Sequence, residues 1–121
     1  MATRGTYNFY KTQEQFEEGV PTTTIYKHWD NYPQNSIPQI DRFVHSEFST
    51  SLNTQEPEVM ASNFLHFLKL EEGVDTTIKT IPTYEKEDYN YHFITQYRNS
   101  GYHLVIYYTT YSSDEPVDVI I

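Results

Sequence analysis

Two segments in the first 28 residues carry strand chemistry. Thr6 to Lys11 and Thr22 to His28 are rich in Thr, Tyr, Phe and Ile, and the acidic, polar stretch between them ends in Gly19-Val20-Pro21. The pattern predicts a β-hairpin with a long loop. After the turn-like Asp30-Asn31-Tyr32-Pro33 the apolar period lengthens: Ile37, Ile40, Val44 and Phe48 recur at three- and four-residue steps, with Ser36 placed to cap and Pro38 in the first turn. This predicts an amphipathic helix ending near Thr50. A second helix is expected over Glu58 to Leu70, where Met60, Phe64, Phe67 and Leu68 share one stripe, Pro57 suits the first turn and Gly73 the end. Its acidic start complements the helix dipole.

From Thr76 the period becomes two. Thr76 to Ile81 reads as a short strand stopped by Pro82, and Tyr89 to Arg98 and Tyr102 to Tyr111 as long strands joined by Asn99-Ser100-Gly101. Either Ser100-Gly101 or Asn99 to Gly101 fits as the loop, so the register stays open. The apolar end Val117-Asp118-Val119-Ile120-Ile121 is expected to pair as an extra strand or to join a partner chain. Together these elements predict a single α+β domain over 1–121: an antiparallel sheet, made of an N-terminal hairpin and a C-terminal meander, with two helices packed on one face. The other face would be rich in Tyr and Thr and would meet water or a protein.

Composition narrows the function. The chain of 121 residues holds 17 acidic and 8 basic side chains, a net charge of −9, which disfavours direct nucleic-acid binding through a basic surface. It has no cysteine, so thiolate metal sites and thiol nucleophiles are excluded. Twelve tyrosines and 7 phenylalanines are too many for a disordered chain and supply potential contact surface. No apolar run is long enough for a membrane span and the start lacks a signal-peptide core, so no membrane partner and a cytoplasmic location are expected.

The densest candidate segment is Tyr26-Lys27-His28-Trp29-Asp30-Asn31-Tyr32-Pro33. His28 and Asp30 at a strand end suit a general base, a metal ligand or a contact surface, or else a turn-pinning hydrogen bond with Trp29 anchored in the core. His45, His66, His92 and His103 have no metal-ligand spacing, no serine lies in a nucleophile elbow, and Gly5, Gly19, Gly73 and Gly101 are isolated. No catalytic residue, metal or cofactor is therefore assigned, and the chain is read as a non-enzyme. The acids group as Glu14-Glu17-Glu18, Glu71-Glu72-Asp75, Glu85-Glu87-Asp88 and Asp114-Glu115-Asp118. If several converge, they form a carboxylate array that competes with nucleic acid for a basic groove in another protein.

The start Met1-Ala2-Thr3-Arg4-Gly5-Thr6, the segment Tyr26-x-His28-Trp29-Asp30-x-Tyr32-Pro33 and the strand Asp88-Tyr89-x-Tyr91-x-Phe93 resemble a group of small bacteriophage, prophage and bacterial proteins. In that group a Gly commonly follows the Asp of the central motif, where this chain has Asn31; both residues tolerate a left-handed turn. The resemblance implies a phage setting and no defined activity. Two readings follow. The first is an interaction protein that inhibits a host defence system, anti-CRISPR-like, occupying a host protein such as a nucleic-acid-binding effector complex in the host cytoplasm. Its contact residues would come from Glu85, Glu87, Asp88, Tyr107 and Tyr108, with a homodimer as a further partner. The second is a small-ligand, nucleotide-like module in which Arg4, His28, Trp29, Asp30 and Tyr32 line a pocket, with aromatic stacking on the base and Arg4 or Lys27 on the phosphate; Tyr26 is a further candidate for partner or ligand contact.

Overall fold

Strand alternation divides the molecule into two unlike faces. The computed structural model describes residues 2–46, 55–73, 77–98 and 101–120. In chain order these form β1 (Gly5–Tyr10), α1 (Gln13–Glu18), β2 (Thr23–Lys27), α2 (Pro33–Val44), α3 (Pro57–Glu72), β3 (Ile78–Ile81), β4 (Tyr89–Arg98), β5 (Gly101–Thr110) and β6 (Ser113–Asp118). The strands make one six-stranded sheet in the order β3-β2-β1-β4-β5-β6. The expected α+β class holds, with the N-terminal hairpin present as the β1/β2 pair and the meander as β4-β5-β6.

The sheet is not purely antiparallel, because β1 and β4 run parallel, from Gly5 opposite Tyr89 to Tyr10 opposite Ile94. The cause lies in β3. It leaves the meander and pairs with the outer edge of β2, with Ile78 opposite Lys27 and Ile81 opposite Thr24. The chain thus finishes β3 at the far end of the sheet, and the irregular strap 82–88 carries it back so that β4 starts beside the start of β1. A tight hairpin would have forced antiparallel pairing; a seven-residue strap does not.

Other boundaries also differ from expectation. Helix α2 starts at Pro33 with Tyr32 as its cap, and Ser36 lies inside the first turn, buried, with its Oγ 3.0 Å from the Tyr7 hydroxyl. A proline at the first helical position needs no donor there, so the cap moves upstream. Phe48 and the expected end near Thr50 lie outside the described residues, as does Thr76. Arg98 pairs with Gly101, so Gly101 belongs to β5 rather than to either expected loop. The last stretch does add a strand: β6 pairs with β5, and Val119 beyond it is buried and donates its N–H to Ile106 O at 2.9 Å.

The core lies between the sheet and α2 and α3. Tyr7, Phe9, Ile25, Tyr91 and Phe93 face the helices, and Phe64 of α3 sits at the centre, 5.0 Å from the Tyr7 ring, 5.0 Å from Phe43 and 5.4 Å from Phe93. The opposite face is partly closed by α1 and the strap. Phe16 of α1 stacks on Tyr107 at 5.5 Å and meets His92 at 5.2 Å. Beneath this cover runs a buried polar ladder: Thr24 Oγ1 donates to Asn8 Oδ1 (2.8 Å), Asn8 Nδ2 donates to Thr6 Oγ1 (2.9 Å), and Thr6 Oγ1 donates to Asn90 Oδ1 (2.8 Å).

Candidate functional site

Alternation also places Tyr26, Lys79 and Ile81 on the face away from the helices, since their neighbours Ile25 and Ile78 enter the core. The strap crosses this end of the sheet and closes one side of an open groove of about 530 Å³. Tyr26, Lys79 and Ile81 line it from the sheet, together with Arg4 and His28, while Glu85 and Glu87 line it from the strap. Lys27, the other expected phosphate contact, is instead buried on the helix face, 2.7 Å from Glu72. Arg4 and His28 were expected in one ligand site, with Tyr26 a further candidate, and the strap acids in a separate contact surface. The parallel pairing of β1 with β4 brings them together.

Local hydrogen bonds fix the groove. The backbone N–H of Arg4 donates to Asp88 Oδ2 at 2.9 Å, and Tyr89 N donates to Arg4 O at 3.2 Å. Asn90 accepts the Glu87 N–H at 2.9 Å and donates to Glu87 O at 3.0 Å, which ties the strap to the polar ladder. Tyr26 Oη lies 2.7 Å from His28 Nδ1. Desolvation raises the pKa of the Glu87 carboxyl, with Arg4 opposing and Asp88 and Glu85 adding to the rise. Burial likewise raises the Tyr26 phenol, helped by Glu87 and opposed by Arg4, which also hydrogen-bonds it.

The remainder of the central segment is organised differently from the sequence reading. Trp29 is 47% exposed rather than anchored in the core, although its ring meets the edge of His28 at 4.6 Å. Asp30 and Tyr32 are exposed, and His28 Nδ1 is engaged by Tyr26 instead of Asp30. The left-handed residue is Asp30 (φ 61°), not Asn31. Asn31 is fully buried: its Nδ2 donates to Lys27 O (2.8 Å) and Thr3 O (2.9 Å), and its Oδ1 accepts from Tyr7 Oη (2.7 Å). Its side chain occupies the space that a Cβ at Gly5 would need. Two motif segments are therefore locked together by a missing methyl group and a buried amide.

Tyr107 and Tyr108 are half-buried on opposite faces. Tyr107 supports Phe16 of α1, and Tyr108 packs against Tyr91 at 6.0 Å. The exposed aromatic side chains at this side are Tyr102 and Tyr111.

A second cleft, of about 360 Å³, opens beside α1, where Glu17 and Glu18 meet Asp114 and Pro116 of β6. Tyr10, Tyr84, His92 and Thr109 line its inner end. His92 is almost completely buried, with Nδ1 2.9 Å from Tyr10 Oη and Nε2 2.9 Å from Thr109 Oγ1. Desolvation lowers its pKa to about 4, against an opposing pull from Asp114. Burial raises the Tyr84 phenol to about 12, with Asp114 adding to the rise. Sequence spacing did not single out His92, Tyr10 or Thr109, because each sits alone on a different strand.

The helices of the described residues include none long and apolar enough to cross a membrane. Among the same residues no group of three or more His, Asp or Glu is placed to hold a metal ion. Fold and site together define a mixed-sheet α+β protein with a charged groove at one edge and an acidic cleft toward the other. No protein-family model, curated protein or solved structure matches the chain.

Proposed function

We propose that the protein is a phage-type interaction protein that inhibits a host defence system, in the manner of an anti-CRISPR protein, by occupying a basic surface of a host protein in the host cytoplasm. One observation carries this reading: acids from two distant stretches, Glu17 and Glu18 on α1 and Asp114 on β6, line a single cleft. Glu115 and Asp118 continue the acidic character along β6, an edge strand exposed at every position. Lys86 pairs with Asp114 at 2.7 Å, and Glu17 and Glu18 on one side with Glu115 and Asp118 along β6 extend the outward field around that pair. Exposed Tyr111, Val117 and Ile120 beside them offer apolar anchors. Such an array steers association with a cationic groove and competes with the nucleic acid that the groove normally holds.

The test is phage plating on a host with active CRISPR interference. Expression of the protein is expected to restore plating of a targeted phage, and the Glu17→Lys, Glu18→Lys, Glu115→Lys variant is expected to abolish that rescue. Wild-type protein that leaves interference intact would remove this reading. The open edge of β6 is also where a second copy of the chain would add, and light scattering at high micromolar concentration reads that directly.

A further inference from the structure

The groove between β2, β3 and the strap lies at the opposite edge of the sheet from β6, and its charges are unusual for so acidic a chain. Lys11, Lys27, Arg42 and Lys86 each have a carboxylate oxygen within 4 Å, at 3.7, 2.7, 2.8 and 2.7 Å. Arg4 and Lys79 have none that close among the described residues, and both line this groove. A third such cation, Lys69, stands apart on α3. With acids outnumbering bases 17 to 8, two cations in one groove with no carboxylate oxygen within 4 Å among the described residues mark a place suited to an anion, although Arg4 also acts at longer range on the Glu87 carboxyl.

The facing wall has the opposite sign. Glu85 and Glu87 line the groove from the strap, and the backbone of Glu87 is held by Asn90, so the strap sets this acidic wall beside Arg4 and Lys79. A bare anion would leave the carboxylates unmatched, and a bare cation would leave Arg4 and Lys79 unmatched. Between the walls lie the rings of Tyr26 and His28 and the apolar side chain of Ile81. The volume, about 530 Å³, falls within the rough 300–1,000 Å³ range of small-molecule sites.

We propose that this groove binds a nucleotide-type ligand, a phosphate ester joined to a planar, amino-bearing heterocycle. The phosphate meets Arg4 and Lys79, the ring lies against Tyr26 and His28, and the amino group donates to Glu87 or Glu85. This goes beyond the inhibitor reading, uses a different edge of the sheet, and stands or falls separately from it.

Calorimetric titration of the full chain with adenosine monophosphate at low salt tests the proposal, with adenosine and inorganic phosphate titrated separately. The monophosphate is expected to bind at least about tenfold more tightly than either half. Lys79→Ala, at an exposed strand position, is expected to weaken it by about tenfold or more, while Lys69→Ala on α3 leaves it unchanged. Glu87→Ala is expected to weaken the monophosphate without weakening inorganic phosphate, a selectivity that mere structural damage would not produce. Thermal melts confirm that each variant is folded. No heat of binding at millimolar monophosphate, equal binding of monophosphate and phosphate, or wild-type affinity in Lys79→Ala would each overturn the proposal.

Discussion

The two faces of the sheet solve the same problem with different chemistry. Toward α2 and α3 the strands present large rings, and Phe64 fills the space between Tyr7, Phe9, Phe43 and Phe93. Toward α1 and the strap the same strands, one residue out of phase, present Thr6, Asn8, Thr24, Asn90 and His92, all buried. Each polar group there is matched, and no buried side-chain nitrogen or oxygen among the described residues lacks a partner. The aromatic face gains stability from area removed from water. The polar face gains little net energy per bond, but it is intolerant of mismatch, since an unmatched buried group costs about 1–3 kcal/mol. One face therefore holds the fold together, and the other fixes the geometry of what covers it.

The largest expected effect comes from breaking the aromatic face. Phe64→Ala removes the ring shared by both helices and the sheet, at a cost of about 3–5 kcal/mol. Against a total stability of about 5–15 kcal/mol for a domain, this leaves the protein marginal. Denaturant unfolding measures it; a loss below about 1 kcal/mol would show that Phe64 is not the centre of the core.

The second effect belongs to the polar face and is read through pH. His92 has a folded pKa of about 4, below the ordinary 6.5, because desolvation disfavours the charged ring. Between these values the unfolded chain binds a proton that the folded chain refuses, so stability is full above pH 6.5 and falls as pH drops toward 4. The whole difference corresponds to about 3 kcal/mol, and about 2 kcal/mol of it should be lost between about pH 7 and about pH 5. Glu71, whose carboxyl is lowered chiefly by its hydrogen bond with Arg42, loses its contribution in the same direction but at lower pH. Unfolding at the two pH values, repeated on His92→Gln, isolates the histidine. An equal pH dependence in wild type and variant would assign the effect elsewhere.

How much of this was legible in the sequence follows the same division. Period-two and period-three-to-four patterns located both large helices and most strands, because the aromatic face writes a strong apolar rhythm. They carried no information on strand direction, which depends on where β3 docks and how the strap returns. The cover of the polar face was also hidden. Helix α1 is six residues long with no buried residue, so it has no apolar stripe to detect. Its signals were only Thr12, Gln15 three residues on, and Gly19, whose φ of 71° suits glycine.

The groove was half legible. Arg4 and His28 were expected in one site and Tyr26, Glu85 and Glu87 were named from the chain, but the meeting of that site with the strap acids was not, since it needs residues more than 80 positions apart to sit side by side through β1 and β4. Lys79 and Ile81 were missed because a short strand stopped by a proline gave no reason to single them out. Asn31 illustrates a subtler miss: a residue that tolerates left-handed backbone is here a buried donor, and the strained position moved to Asp30.

The smallest expected effect sharpens the comparison most, because it perturbs the cover without touching either face. Thr12 Oγ1 accepts the Gln15 N–H at 3.1 Å, and Thr12→Ala removes that cap at a cost of about 1 kcal/mol. Helix α1 then frays more often, and with it Phe16, whose ring lies over Tyr10 and His92. Water reaches His92 more readily, so its pKa should rise from about 4 part of the way toward 6.5. A nuclear magnetic resonance titration of the ring protons reads this directly, with the rings of Phe64 and Phe43 as an internal control. The polar face should respond while the aromatic face does not. If the His92 titration is unchanged while overall stability falls, α1 is a bystander and the burial of His92 is set by the strands and Tyr84 alone.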